Sequence, residues 1–259
     1  MPHASRKLPL AGWYVISIRP LNQHGGVRRS AAKLGARTFA LSTLQLQPLD
    51  ATPALRQALD CPRVLVTSPA AASLANAQIA LVSRPGQRWF ALGDGSAAVL
   101  RRSGIERVRL PEHGSDSEAL LAHEELQQVR DESIGLITAP GGRGLLASEL
   151  RARGARIVVA EVYRRQALRL ADARLRALDR LPDSSALLMT SGESFALLWQ
   201  ALDDAARTRL LRRPCVVASA RLEAEARALG FSLVLRAGDA RPASLLATLA
   251  DHVAAGCFR

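Results

Sequence analysis

The chain has 259 residues, 48% of them hydrophobic, which suffices for a sizeable core and for one or two domains. No apolar run approaches the roughly 20 residues that span a bilayer, and Pro9 and Gly12 interrupt the N-terminal stretch, a poor signal peptide. The net charge of +12 is almost all arginine, Lys7 and Lys33 being the only lysines; with aromatics at 4% and the arginines scattered, it points to solvated helix faces and a small anionic ligand rather than to a nucleic-acid surface.

Cys61, Cys215 and Cys257 are odd in number and show no CxxC spacing, as expected of a reduced, cytoplasmic compartment. Trp13–Ile18 reads as a buried strand that ends at Arg19-Pro20, because proline cannot donate to a ladder. A helix follows Gly25-Gly26 and stops at Gly35. Phe39–Gln47 alternates apolar and polar residues, the pattern of a strand wet on one face, and is expected to pair with Ile157–Gln166. Val64 begins a strand, after which Thr67-Ser68-Pro69 opens a helix with serine at the N-cap and proline at the first helical position.

Trp89–Leu92 is a strand followed by Gly93 to Ser96 and a helix, and Arg107–Leu110 is a short strand. Ser115 to Glu118 has the pattern of a capping box and predicts a helix running to Val129. Ile134–Thr138 is a strand leading through PGGRG into another helix. Beyond the strand Ile157–Gln166 lie a helix over Leu175–Leu181, strands at Ala186–Thr190, Cys215–Ala218 and Leu233–Arg236, and helices after Ser191, Ser219 and Pro242. Strands alternating with helices predict βα units and mainly parallel sheets.

There is also an internal repeat. VLVTSPAAASL from Val64 is similar to LLMTSGESFALL from Leu187, and WFALGDGSAAVLRRSGI from Trp89 to CVVASARLEAEARALGF from Cys215. Thr67 thus corresponds to Thr190, and Gly104 to Gly230. Two similar α/β bodies follow, the middle third of the chain being inserted into the first.

Familiar catalytic signatures are missing. The histidines form no HExxH, there is no GxSxG, and PGGRGLL lacks the lysine of a P-loop, so neither a metal nor a nucleotide is expected. What remains is a series of helix starts at strand ends: Thr67-Ser68, Gly93 to Ser96, Gly141-Gly142-Arg143-Gly144, Thr190-Ser191 and Ser219. Ligands of parallel sheets sit beyond the carboxyl ends of the strands, where free N–H groups and the helix dipole favour anions. Each start taken alone is also explained as a cap or a tight turn. Arg19, at the end of the first strand, reads equally as a ligand contact or as a turn residue.

In order and spacing, SIRP from Ser17, TSPAA from Thr67, WFALGDGSAAVLRRSGI, SEALL from Ser117, GGRGLLASELRARGA and VAEVYRR, with the second TS at Thr190, resemble the uroporphyrinogen-III synthase family over nearly the whole chain. Ile18 and Ser96 stand where the family often has threonine, and Ser219 and Leu222 replace a glycine and a threonine.

The resemblance implies two α/β domains of flavodoxin-like type, 12–38 with 169–255 and an inserted 52–156, joined by linker strands 39–49 and 157–168, with the active site between the domains. It implies a cytoplasmic monomer that closes hydroxymethylbilane, a polycarboxylate, into a ring while inverting the terminal pyrrole and losing water. It implies no metal or organic cofactor, and neither nucleic acid nor membrane as partner. Contact with the preceding or following enzyme of the pathway would be transient. The substrate would be held by Arg19, Thr67, Ser68, Gly93, Ser96, Gly141, Gly142, Arg143, Thr190, Ser191 and Ser219.

Tyr163 matches the family's tyrosine in its VxxVY context. Val159, Glu161 and Tyr163 share one strand face, and a tyrosine hydroxyl, which holds its proton at neutral pH, can donate to a departing hydroxide. The same ring could simply fill space in the linker. A two-lobed protein that only binds a small polyanion is the rival function; a nucleic-acid module, resting on the charge alone, is a further one.

Overall fold

The computed structural model describes residues 8–114, 116–141 and 144–256. In chain order it contains β1 (Tyr14–Ser17), α1 (Gly25–Lys33), β2 (Arg37–Ala40), β3 (Leu44–Pro48), α2 (Thr52–Leu59), β4 (Arg63–Val66), α3 (Pro69–Gln78), β5 (Arg88–Ala91), α4 (Asp94–Arg102), β6 (Val108–Arg109) and α5 (Ser117–Leu121). A 3-10 turn over Glu124–Leu126 precedes β7 (Ser133–Thr138), α6 (Leu145–Ala152), β8 (Arg156–Glu161) and β9 (Tyr163–Ala167). The chain closes with α7 (Asp172–Asp179), β10 (Ser185–Met189), α8 (Gly192–Ala201), α9 (Asp204–Leu211), β11 (Cys215–Val217), α10 (Ala220–Ala228), β12 (Val234–Arg236) and α11 (Pro242–Ala254).

The chain folds as two compact units, one containing the residues up to Gln45 and from Gln166 onward, the other Leu46–Arg165. Each holds a five-stranded sheet, and every pairing in it is parallel. Helices cover parallel sheets on both faces, so central strands read as unbroken apolar runs. β10 is buried along its whole length, and so is β4, whose Arg63 is tied to Glu132 in an ion pair. Apolar clusters lie on each face of both sheets: Val64, Val66, Trp89 and Ile137 on one side of the second, Leu65, Phe90, Ile134 and Leu136 on the other.

The two sheets have one spatial plan. Read from one edge, the first runs β2-β1-β10-β11-β12 and the second β8-β7-β4-β5-β6. β10 therefore stands where β4 stands, and β11 where β5 stands, the pairs that the internal repeat matches. The helices after β5 and β11 both end on a left-handed glycine, Gly104 at φ 97° and Gly230 at φ 95°. Only the chain order differs: the second unit begins with the strand in the third place and ends with the one in the first, whereas the first unit begins with the strand in the second place and ends with the one in the fifth.

The linker departs from expectation. The segment 39–47 is two strands rather than one, and so is 157–166. β2 pairs with β1, and β8 with β7, so both belong to the sheets, while a separate two-stranded sheet joins β3 to β9. Specific hydrogen bonds mark both breaks. Between β2 and β3, the Thr43 hydroxyl donates to Ser194 O (3.0 Å) and Ser42 Oγ bonds the His24 ring (2.9 Å). Between β8 and β9, Val162 is fully buried, its N–H bonds Thr138 O (3.0 Å), and its carbonyl accepts from Leu49 N–H (3.1 Å).

The helix expected to run to Val129 stops at Leu121, where Arg153 Nη1 donates to the carbonyls of Leu121 and Leu126 (2.8 Å each), satisfying groups that a longer helix would pair itself. Asp116, not Ser115, is its N-cap; Ser115 lies outside the described residues. α2 and α9 come from segments that the sequence reading leaves without structure.

Gly135, on β7, lets α2 lie close over the sheet. A Cβ there would sit 2.1 Å from Ala58 O, and backbone cannot swing aside as a side-chain tip does. Gly135→Ala should cost about 1–3 kcal/mol through overpacking, read as a lower urea midpoint. A midpoint equal to wild type would show that α2 shifts freely.

Candidate active site

A cavity of about 360 Å³ opens at the C-terminal edge of the second unit's sheet. Its first wall is the turn after β4. Ser68 has extended backbone and its Oγ accepts the Ala71 N–H (3.0 Å), the expected N-cap of α3, with Pro69 behind it. Thr67 donates from its hydroxyl to Thr138 Oγ1 (2.9 Å), tying the ends of β4 and β7 together.

The second wall is the passage from β8 to β9. Val159, Glu161, Tyr163 and Arg165 alternate along it and all four face the cavity. Tyr163 is 5% exposed, and its hydroxyl shares a hydrogen bond with Ser68 Oγ (3.1 Å). The phenol thus has apolar surroundings for its ring and a hydroxyl partner at the cavity. The structure brings Tyr163 and Ser68, 95 positions apart, into direct contact.

The third wall is the turn after β7. Gly141 (φ 76°) and Gly144 (φ 65°) both lie in the left-handed region, and no side chain caps α6, whose first N–H groups remain available to an anion. Gly142 and Arg143 lie outside the described residues. Arg151 and Arg165 add guanidinium groups to the cavity wall, and Arg165 Nη2 also reaches Pro140 O (3.4 Å).

Not every expected site residue reaches this cavity. Gly93 is the N-cap of α4 with ordinary extended backbone, and Ser96 is buried (3% exposed) in the first turn of that helix; neither lines the wall. In the first unit, Ser191 caps α8 through Ser194 N–H (3.3 Å) and Ser219 caps α10 through Leu222 N–H (3.4 Å), with half-buried Thr190 before them. Arg19, at the end of β1, donates from Nη2 to Ala240 O (3.0 Å), and burial lowers its pKa. Thr138, Arg151 and Arg165 are cavity residues that the sequence reading does not name as ligands. Arg165 carried a signal, lying two positions beyond Tyr163 on a strand.

Buried thiols take no part: burial raises the pKa of Cys61 and pushes that of Cys215 up to about 12, leaving both protonated. Among the described residues, no group of three or more His, Cys, Asp or Glu side chains is placed to hold a metal ion, and no helix is long and apolar enough to cross a membrane.

A hydroxyl pair, one uncapped helix start and guanidinium groups at the carboxyl edge of a parallel sheet fit an α/β enzyme for an anionic substrate. The family described as "Uroporphyrinogen-III synthase HemD" matches residues 27–247, and the chain belongs to it. It is 33% identical over 193 residues to the uroporphyrinogen-III synthase of Salmonella typhimurium LT2, covering 72% of this chain and 77% of that protein. The Escherichia coli K12 enzyme of the same name is 30% identical over 162 residues, covering 62% and 66%. Two crystal structures share the fold: a mutant uroporphyrinogen III synthase of Thermus thermophilus with a TM-score of 0.62 at 18% identity, and the uroporphyrinogen-III synthetase of Helicobacter pylori with 0.59 at 14%, each covering 94% of this chain and 99% of the other.

His24 gives the first unit a pH signature. It is 4% exposed, with Nδ1 on Ser17 Oγ (2.8 Å) and Nε2 on Ser42 Oγ (2.9 Å). Burial, then the charges of Arg28, Arg19 and Arg174, lower its pKa from 6.5 to about 4. Between those values the unfolded chain binds the proton and the folded one does not, so stability falls as pH falls through that window. The melting temperature should drop from pH 7 to pH 4.5 more steeply in wild type than in His24→Gln. Parallel slopes would show that His24 is not the group responsible.

Proposed function

We infer that this chain is a cyclising lyase, a uroporphyrinogen-III synthase, which closes hydroxymethylbilane into uroporphyrinogen III with inversion of the terminal pyrrole and loss of one water. The observation that carries the reading is the family match from residue 27 to residue 247. The cavity supports it, because its groups suit the reaction. The substrate is a polycarboxylate, and Arg151, Arg165 and the start of α6 offer guanidinium and N–H groups to its acid side chains.

The reaction requires the C–O bond of the hydroxymethyl group to break. Tyr163 donates its proton to the departing oxygen, which leaves as water with the bonding electron pair. Ser68 donates in turn to the phenolic oxygen, stabilising the charge left there while its own oxygen stays held by the Ala71 N–H. The electron-deficient carbon is attacked by the substituted α-carbon of the terminal pyrrole. The bond from that carbon to its original methylene bridge then breaks, and the bridge carbon bonds to the free α-carbon of the same ring. The proton released from that carbon as the ring becomes aromatic again restores the phenol. Unassisted closure uses the other α-carbon of that ring, so much of the enzyme's work is positioning. Thr67, Ser68, Gly141 and Gly144 are the groups that hold the terminal pyrrole in this reading.

Purified protein should convert hydroxymethylbilane to the inverted isomer, and Tyr163→Phe should slow turnover on the order of 100-fold, since a positioned proton donor supplies that much and positioning remains. Chromatographic separation of the two isomers measures both. Tyr163→Phe with full turnover would return Tyr163 to a packing role.

A further inference from the structure

Glu161 is out of place in a cavity built for carboxylates. Among the described residues it is the one carboxylate on the cavity wall, beside Arg151, Arg165 and several hydroxyls. Each substrate acid group held nearby is repelled by it. It does nothing visible for the fold: the residue is exposed, and its side chain makes no hydrogen bond or ion pair among the described residues. Its direction is nevertheless fixed. Glu161 is the last residue of β8, in register with Thr138, and the next residue is the buried Val162, pinned on both sides by main-chain hydrogen bonds. That anchor sends Glu161 and Tyr163 into the same cavity from either side of Val162.

A carboxylate that weakens binding of the ground state is useful where positive charge appears later. When the hydroxymethyl C–O bond breaks, the pyrrole nitrogen pushes electron density toward the exocyclic carbon, and the ring becomes cationic with a strongly polarised N–H. A fixed anion at that N–H stabilises the transition state more than the neutral substrate, which is the condition for raising turnover rather than affinity.

We propose that Glu161 is a catalytic residue whose carboxylate accepts the N–H of the pyrrole losing hydroxide and stabilises the cation so formed. The proposal rests on the ring-closing reading above. The electron pair of the C–O bond leaves with oxygen, the proton that completes water comes from Tyr163, and Glu161 transfers nothing. Tyr163 and Glu161 then divide the work: one neutralises the leaving group, the other the carbon skeleton it leaves behind.

The test is Glu161→Gln, which keeps size and an accepting oxygen but removes the charge. With hydroxymethylbilane as substrate, kcat should fall on the order of 10-fold or more, while KM stays level or drops, because a repulsive charge has gone. The melting temperature should move by no more than about 2 °C, as for an exposed side chain without partners. Glu161→Asp, which keeps the charge, should recover part of the lost turnover. Unchanged kcat in Glu161→Gln would overturn the proposal, as would a raised KM or a melting temperature lowered by several degrees, either of which marks a binding or structural role. Wild-type protein that yields only the spontaneous isomer would overturn the ring-closing reading, and this assignment with it.

Discussion

Two main-chain hydrogen bonds at Val162 fix the wall of the second unit's cavity. Val162 N–H is held on Thr138 O and its carbonyl on Leu49 N–H where the chain passes from the sheet into the two-stranded linker, and Val159, Glu161, Tyr163 and Arg165 on either side of it all line one cavity. The side chain of Val162 is fully buried, so the anchor is shielded from water that would compete for its hydrogen bonds. Tyr163 inherits its rigidity from this neighbour, and its hydroxyl reaches Ser68, itself fixed as a helix cap.

The arginine excess finds a largely structural explanation. Arg153 closes two carbonyls at the end of α5 and the following turn, and Arg213 does the same for Pro182 and Leu181. Arg207 stacks on Trp199 and bonds its carbonyl, and Arg174 lies 4.2 Å over the Phe39 ring. A guanidinium has five donors in a rigid plane, so it can serve two carbonyls while its stem covers apolar surface. A high positive total therefore says less about ligands than the few arginines that face a cavity.

The sequence reveals those parts of the site that are locally determined. The Thr67-Ser68-Pro69 turn is legible because serine and proline act within one helical turn of where they stand. Tyr163 is legible as a tyrosine on a strand, but Ser68 as its partner is not, since that contact closes a long loop. The break at Leu41–Thr43 shows in the sequence only as a shift of the apolar positions from Phe39 and Leu41 to Leu44 and Leu46, and the contact of Thr43 with Ser194, 151 positions away, is not legible at all. α2 escapes notice because Ala51 precedes it and makes no side-chain cap. Ser96 misleads in the opposite direction. A hydroxyl after a glycine turn looks like a ligand, yet the helix turns it inward.

The shared strand plan with its differing chain order bears on how the molecule assembles during synthesis. In the first unit Tyr14 on β1 pairs with Ser185 on β10, so its central strand waits for most of the chain to be made before its neighbour exists. In the second unit β4 finds β5 within a few tens of residues and β7 soon after, as Arg63 pairs with Arg88 and with Ile134. Contacts close in sequence form sooner because less loop must be closed. The inserted unit is thus the early folder, and the residues before it, β1 and β2 with their unpaired edge, are the stretch exposed longest to proteolysis and misassociation on the ribosome.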